Sequence, residues 1–265
     1  MSSRRQGPRE PAAGRGFSGE AKKSLGQHFL HDRGIIGKIV QAVDPQPGDR
    51  LVEIGPGQGA ITFPLLARHG ALTVIEFDRD LIFPLTEAAR AHGVLTVIHR
   101  DVLQVDLTAL AADEGALRLV GNLPYNLSSP ILFHALDHAA FVQDMHFMLQ
   151  REVVERMVAG ASTKAYGRLS VSLQARFRMT KLFDVSRGAF RPPPKVDSAV
   201  VRLEPLLAPL AIDEDLLRRA FSARRKTIRN ALSGIDLEAL GFDPKLRPEN
   251  LSPQDYAKIS AAMSR

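Results

Sequence analysis

The apolar residues between positions 32 and 150 follow two alternating spacings. One spacing, of three or four residues, is typical of a helix with one buried face, and it first appears in IIGKIVQAV (35–43) after the capping residue Asp32. The other consists of short apolar runs between turn signals, which is typical of buried strands. These runs are RLVEI (50–54), ALTVIEF (71–77), VLTVIH (94–99) and LRLVGN (117–122), and the helical segments between and after them are 59–69, 79–92 and 129–138.

Apolar strands that alternate with helices predict an α/β fold, a mostly parallel sheet with helices on both faces. The period-two pattern of Met145, Phe147 and Leu149 predicts a further strand over 144–150, followed by a helix. After Pro205 the chain is rich in helix-forming residues and poor in strand signals. We therefore predict a flexible basic arm over 1–20, a catalytic α/β domain over 21–206 and a small all-helical domain over 207–265.

Composition narrows the class of protein. The 265 residues are 45% hydrophobic, and they contain no apolar run of about eighteen that would predict a membrane-spanning helix. The absence of cysteine excludes disulfides, thiolate zinc sites and cysteine nucleophiles. Since the N-terminus also lacks an apolar signal segment, we predict a cytoplasmic protein. The net charge of +6 favours an anionic partner such as nucleic acid.

Glycines follow the first buried strand in the segment EIGPGQGAIT, which then opens a helix. Gly55, Gly57 and Gly59 allow a tight turn and a close approach of the backbone to a ligand. Three further polar residues end or follow the next strands: Glu76, Asp101 and Asn122. Because the carboxyl ends of parallel strands share one edge of a sheet, these groups predict a single binding crevice rather than unrelated caps and surface acids.

Two cofactors suit this crevice, a nicotinamide dinucleotide and S-adenosylmethionine. A dinucleotide site favours Gly-x-Gly-x-x-Gly, whereas the third glycine here comes one residue earlier. Glu53 sits just before the loop, where a carboxylate disfavours a pyrophosphate and suits a cationic sulfonium with its amino group. The acid at position 101 can accept a hydrogen bond from an adenine amine. We therefore predict S-adenosylmethionine as the cofactor, and no metal.

The fourth buried strand ends in Asn122-Leu123-Pro124-Tyr125, a segment with no general base or strong nucleophile. An oxygen or carbon acceptor of a methyl group usually needs a general base, whereas an adenine amine needs acceptors that hold its two N–H groups. The Asn122 amide oxygen and the Leu123 carbonyl can serve, and Pro124 restricts the backbone there. Tyr125 can stack on a base. Beside the glycine loop, this segment predicts the acceptor side of a methyl-transfer site rather than a simple turn.

The chain resembles the bacterial small-subunit (16S) ribosomal RNA adenine dimethyltransferases. Besides EIGPGQGAIT and NLPYNLSS, the similar segments are SLGQHFL (24–30), MLQREVVERM (148–157), YGRLSV (166–171), AFRPPPKVDSAVVRLEP (189–205) and FSARRKTIRNAL (221–232). The resemblance implies a Rossmann-like methyltransferase fold and dimethylation of two adjacent adenosines near the 3′ end of 16S rRNA. It also implies a pre-30S particle as substrate and a role in ribosome maturation. We expect the enzyme to act as a monomer.

The same resemblance implies roles for individual residues. It assigns cofactor contacts to His28, Leu30, Gly55, Glu76, Asp101 and Asn122, and His28 stands where the family usually has asparagine. It also assigns Phe190, ahead of the stiff Pro192-Pro193-Pro194 segment, to the side of the target base. Lys22 and Lys23 are expected near the mouth of the site.

Basic residues crowd one C-terminal stretch, RRAFSARRKTIRNAL. Arg218, Arg225 and Arg229 follow a roughly helical spacing, with Arg224 and Lys226 nearby. Such a charge run is often only a solvated helix face, but beside an RNA-modifying domain it predicts phosphate contacts that anchor RNA. Two alternatives stay open: a non-catalytic RNA-binding ribosome assembly factor on the same fold, and a small-molecule methyltransferase, which the basic domain disfavours.

Overall fold

The computed structural model describes residues 22, 25–111, 115–222 and 226–263. Its strands are β1 (Phe29–Leu30), β2 (Arg50–Ile54), β3 (Ala71–Glu76), β4 (Val94–His99), β5 (Leu117–Asn122), β6 (Val142–Gln150), β7 (Phe177–Val185), β8 (Phe190–Arg191) and β9 (Ser198–Pro205). Its α-helices are α1 (Arg33–Val43), α2 (Thr62–His69), α3 (Arg79–Ala89), α4 (Leu107–Ala111), α5 (Ser128–Asp137), α6 (Arg151–Met157), α7 (Arg168–Gln174), α8 (Glu214–Ser222), α9 (Ile228–Ala231) and α10 (Pro253–Met263). Within the described ranges, no helix has the length and apolar character needed to cross a membrane, and no three acidic, histidine or cysteine side chains form a group suited to a metal ion.

The main sheet has seven strands in the order β4-β3-β2-β5-β6-β9-β7. The strands from β4 to β6 pair in parallel, whereas β9 runs antiparallel to both β6 and β7. The predicted strands and the mostly parallel sheet are therefore present. The sequence analysis predicted neither β7 nor β9. Strand β7 lies at the edge of the sheet, and its charged and apolar residues do not alternate cleanly.

Alternate residues of the central strands contribute to two hydrophobic clusters. Leu51 and Val120 pack with residues of α1, α2 and α3. Their neighbours Val52 and Leu119 pack with residues of α4, α5, α6 and α7. Because successive side chains of a strand point to opposite faces, helices cover both faces of the sheet. The predicted fold class is therefore confirmed.

The described residues after Pro205 form helices and no strand. These helices build a third hydrophobic cluster, which also contains Tyr166 and Val171 from the chain around the start of α7. The Tyr166 hydroxyl donates to the Leu251 carbonyl oxygen at 2.9 Å. The helical region therefore packs on the α6–α7 part of the α/β domain, and the exact limit between the two domains stays a prediction.

The basic C-terminal stretch does not form one helix. Helix α8 is described over Glu214–Ser222 and α9 begins at Ile228, with Thr227 in an extended conformation at the N-cap of α9. Arg218 and Arg229 therefore lie on different helices, and the predicted helical spacing between them is wrong. Arg224 and Arg225, which complete the predicted group, lie outside the described residues.

Candidate active site

A cavity of about 200 Å³ opens at the carboxyl ends of β2, β3, β4 and β5. The structure brings together there the polar groups that the sequence placed at four strand ends. The predicted residues that line it are His28, Leu30, Glu53, Gly55, Gly57, Glu76, Asp101, Asn122, Leu123, Pro124 and Tyr125. The parallel register explains this arrangement, since it aligns the strand ends at one edge of the sheet.

The glycine loop brings backbone rather than side chains to the cavity wall. Gly57 has a positive φ of 55°, and a Cβ atom there would lie 3.2 Å from the Phe29 ring. Its N–H donates to Glu76 Oε2 at 3.2 Å. A Cβ atom on Gly59 would approach the Phe63 ring to 2.4 Å, at a φ of 82°. Side chains at these positions would therefore strain the backbone and fill the loop.

The Glu53 carboxyl lies beneath the loop and is only 1% exposed. It accepts a hydrogen bond from the Thr62 hydroxyl at 2.6 Å. Burial, with a smaller contribution from the nearby Glu76 carboxylate, raises the pKa of Glu53 to about 8. The sequence predicted a carboxylate at this position, whereas in this structure the group is mostly protonated at neutral pH. A cation placed beside it would favour ionisation.

The next two acids are oriented by backbone N–H groups. Glu76 accepts from Gly57 N and, at 2.7 Å, from Asp78 N, and burial raises the pKa of Glu76. Asp101 Oδ1 accepts from Leu103 N at 3.0 Å and caps a short turn. Each carboxyl is thus held in a fixed direction at the cavity and retains lone pairs for a ligand.

The Asn122 side chain is fixed by the segment that contains His28. Its Nδ2 donates to the His28 carbonyl oxygen at 3.0 Å. The His28 ring is fixed in turn, because its Nδ1 donates to the Pro192 carbonyl oxygen at 2.8 Å. With its nitrogen committed to His28, the Asn122 amide has its oxygen left to accept from a substrate.

The chain from Leu25 to Leu30 lines the cavity. Gln27 Nε2 donates to Asp78 Oδ2 at 2.9 Å, and Lys22 Nζ contacts Asp78 and Asp80, each at 2.6 Å. At the other end, β1 pairs with β8. Sequence analysis missed Gln27 and Asp78, although Gln27 lies within SLGQHFL. Lys22, expected at the mouth of the site, thus ties this segment to the β3–α3 loop.

Phe190 does not line the cavity. Its side chain is 1% exposed and packs in the hydrophobic cluster on the α1 face, and its backbone pairs with Leu30. In this structure the ring is therefore buried away from the cavity, and its role beside a target base stays a prediction. The ring is buried because pairing of β8 with β1 directs it into the core, where its burial is favourable.

The described basic residues of the predicted RNA group lie away from the cavity, in the helical region. Arg218 forms an ion pair with Asp215 at 2.9 Å, and Arg229 forms one with Glu238 at 2.8 Å. Both guanidinium groups are about two-thirds exposed, and Lys226 is exposed between the two helices. A second anionic partner can therefore reach all three side chains.

Comparison with known proteins decides the family of the chain. A family model described as "Ribosomal RNA adenine dimethylase" matches residues 19–263. The chain belongs to this family. It is 63% identical over 254 residues to the Ribosomal RNA small subunit methyltransferase A of Xanthomonas campestris pv. campestris (strain B100), covering 92% of this chain and 97% of the relative. The protein of the same name from Xanthomonas axonopodis pv. citri (strain 306) is 65% identical over 255 residues, with the same coverage.

Two solved structures of this family's fold are similar over most of the chain. A dimethyladenosine transferase from Plasmodium falciparum has a TM-score of 0.76 and 27% identity, covering 89% of this chain and 98% of that one. The 23S rRNA methyltransferase ErmE has a TM-score of 0.70 and 24% identity, covering 89% and 100%. These comparisons confirm the predicted family and the Rossmann-like fold. They also confirm the prediction that the chain is an S-adenosylmethionine-dependent ribosomal RNA adenine dimethyltransferase.

Because of Glu53, the free energy of unfolding, measured without cofactor, is expected to fall as the pH rises from about 6.5 to about 8. Below pH 6.5 the buried His146 imidazole, whose pKa is lowered to about 4, contributes a rise with pH that opposes the Glu53 effect. In the unfolded chain this carboxyl ionises near its ordinary pKa of 4.5, whereas in the folded protein its pKa is about 8. Glu53 therefore binds more protons in the folded state than in the unfolded state between these values, so its contribution to the slope is negative, at most about 1.4 kcal/mol per pH unit. Glu53→Gln cannot ionise at this position, so its urea unfolding should lack the Glu53 contribution to the slope.

A matched control for this prediction is Glu152→Gln, whose side chain is 78% exposed. This variant should keep the wild-type slope. If the free energy of unfolding depends on pH in the same way in the wild type and in Glu53→Gln, the pKa of Glu53 is not raised as argued. Because a cation stabilises the ionised form of Glu53, Glu53→Gln should also bind S-adenosylmethionine more weakly in calorimetry.

Proposed function

We propose that this chain dimethylates the exocyclic N6 amines of two adjacent adenosines in the 3′-terminal hairpin of 16S rRNA. The observation that carries the proposal is the Asn122 amide, held by the His28 carbonyl at the end of β5 beside the cofactor cavity. The relatives named small-subunit methyltransferases support 16S rRNA as the substrate. We further propose that the enzyme acts as a cytoplasmic monomer on a pre-30S particle.

The donor side of the site fits S-adenosylmethionine. The cofactor supplies an activated methyl group, so the chain needs no metal to activate a donor. Glu76 and Asp101 are oriented to accept hydrogen bonds from ribose and adenine groups, and Glu53 lies where a positive charge is stabilised on ionisation. Gly55 and Gly57 allow the backbone to approach the cofactor, and His28 and Leu30 close the cavity.

The acceptor side suits an amine without a general base. Asn122 Oδ1 and the Leu123 carbonyl oxygen accept the two N–H groups of the adenine amine and leave its lone pair directed at the methyl group. The following backbone is anchored, because Leu123 N donates to Met148 O at 3.1 Å and the Pro124 carbonyl accepts from Ser128 Oγ at 3.1 Å. The Tyr125 ring supplies a surface on which the base stacks.

Dimethyladenosine formation tests the proposal directly. The protein is incubated with labelled S-adenosylmethionine and 30S subunits from cells that lack this methylation, and the nucleosides are analysed after digestion. We expect two dimethyladenosines per particle and little product on subunits that already carry them. If the protein binds the subunits and forms no methylated adenosine, the proposal is wrong and a non-catalytic assembly factor takes its place.

The basic helices provide the RNA contacts in this proposal. Arg218, Lys226 and Arg229, together with Arg224 and Arg225, bind phosphates and so anchor the particle without reading its sequence. The double variant Lys226→Ala/Arg229→Ala should weaken 30S binding and lower the slope of log affinity against log salt by about two. Filter binding at several salt concentrations measures both effects.

The control for the salt experiment is Arg90→Ala, since Arg90 is exposed and pairs with Glu87 on α3, in the α/β domain. Its salt slope should equal that of the wild type. If the double variant keeps the wild-type salt slope, Lys226 and Arg229 do not contact RNA phosphates.

A further inference from the structure

A buried serine contacts the aromatic residue of the acceptor segment. The Tyr125 hydroxyl lies 2.6 Å from Ser198 Oγ. Ser198 is the first residue of β9 and is 0% exposed, 73 positions away in sequence. Burial raises the pKa of the Tyr125 phenol, so the hydroxyl keeps its proton and the hydrogen bond persists at physiological pH. The contact therefore joins the acceptor segment to the antiparallel part of the sheet.

The start of β9 is a rigid support for this hydrogen bond. Ser198 is paired on both sides, with Gln150 of β6 and Val185 of β7. The preceding residue, Asp197, accepts from Arg151 N at 3.0 Å through its carbonyl and from Arg187 N at 3.1 Å through its side chain. A hydroxyl on such a residue has little freedom to move, so it fixes the far end of the Tyr125 ring.

The His28 ring lies on one side of Tyr125. The two ring centroids are 5.6 Å apart and the planes are inclined by 31°. A base inserted between two rings needs about 7 Å, twice the contact distance of stacked atoms, so no base fits between His28 and Tyr125. The face of Tyr125 opposite His28 is the face left for a base. The direction of that face depends on two contacts of the ring, the hydrogen bond to Ser198 and the packing against His28.

We propose that Ser198 is a positioning residue for methyl transfer, which holds the Tyr125 ring at the angle on which the target adenine stacks. This inference rests on the proposed function and deepens it. Stacking fixes the plane of the base, and the plane of the base sets the direction of the amine toward Asn122 and the methyl group. Ser198 itself touches neither the base nor the cofactor and acts only through the Tyr125 hydroxyl.

A double-mutant cycle on 30S subunits tests the coupling. Ser198→Ala and Tyr125→Phe remove the hydrogen bond from opposite ends, and Tyr125→Phe leaves β9 untouched. Each should lower kcat about five- to tenfold, with the KM for S-adenosylmethionine unchanged. The kcat of the double variant should be no lower than that of either single variant. Losses that multiply, or a Ser198→Ala enzyme with wild-type kcat, would overturn the proposal.

A spectroscopic measurement examines the anchor without any RNA. The chain has three tyrosines, so carbon-13 labelling at Cζ gives three resonances, and Tyr125→Phe identifies one of them. Ser198→Ala should shift that resonance alone, whereas the control Ser172→Ala, another buried serine that bonds Glu214 at 3.2 Å, should leave it in place. An unshifted Tyr125 resonance in Ser198→Ala would show that the anchor does not exist in solution.

The two measurements separate this inference from the function on which it rests. If the wild-type protein methylates no adenine, the proposed function is wrong and the positioning role falls with it, even when the resonance shifts. If the wild type is active and the resonance shifts, non-additive loss of kcat in the cycle supports Ser198 as a positioning residue.

Discussion

Asn122→Ala is expected to lower the rate of adenine methylation by about 10²–10³-fold, the range typical for loss of one hydrogen-bonding group that acts in the transition state. The amide oxygen is then absent, so the adenine amine keeps only the Leu123 carbonyl as an acceptor. The cavity retains Glu76 and Asp101 for the cofactor, so S-adenosylmethionine should still bind. Single-turnover kinetics on 30S subunits and calorimetry of cofactor binding measure the two effects separately.

The companion variant Asn122→Asp separates the acceptor from the anchor. It keeps an oxygen acceptor but loses the N–H that donates to the His28 carbonyl, so we expect a smaller loss of rate than for alanine. Urea unfolding of both variants shows whether the fold is retained. An alanine variant with normal turnover would disprove the role assigned to this amide.

Arg118→Met is expected to reduce the free energy of unfolding by about 3 kcal/mol, the largest stability effect we predict. The Arg118 side chain is 7% exposed and forms two hydrogen bonds of 2.8 Å with the buried Asp144 carboxylate. It also contacts Asp49 and donates to the Val43 carbonyl oxygen at 2.6 Å. Removal of the guanidinium leaves Asp144 with weaker contacts, to Arg202 at 3.3 Å and to the His146 ring at 4.0 Å.

Two further variants make the stability experiment decisive. Arg178→Met removes an exposed arginine that pairs with Glu204, and it should change the free energy of unfolding by well under 1 kcal/mol. Arg118→Met/Asp144→Leu removes the Arg118–Asp144 pair and should recover part of the stability that the single variant loses, because Asp49 alone still lacks its arginine partner. If Arg118→Met unfolds at the same urea concentration as Arg178→Met, the buried ion pair does not stabilise the fold as argued.

Local patterns were sufficient for the elements around the cavity. Strands β2 to β5 were predicted within one residue, since each is a short apolar run bounded by glycine, proline or polar residues. Helix α2 begins later than predicted, at Thr62, because Gly55, Gly57 and Gly59 all have positive φ and extend the loop. Edge strand β7 and the short β1–β8 pair carry no comparable local signal.

The position of a side chain relative to the cavity was harder to predict. Glu53 and Asn122 were placed correctly, because the carboxyl end of a parallel strand is a geometric property of the strand itself. Phe190 does not line the cavity, because the direction of its side chain depends on pairing with Leu30, about 160 positions earlier. Ser198 was not predicted at all, since a serine before an apolar run has no property that marks it as a partner of Tyr125.

The sequence by itself determined the parallel sheet, the glycine loop and the set of polar strand ends, because each depends on the order of residues within a few positions. Only the tertiary structure decided which acids have a raised pKa, which ring is buried and which hydroxyl holds Tyr125. The physical reason is that burial and hydrogen bonding depend on neighbours from distant strands, such as β9 beside the acceptor segment. These contacts turn a set of suitable residues into a site with fixed geometry.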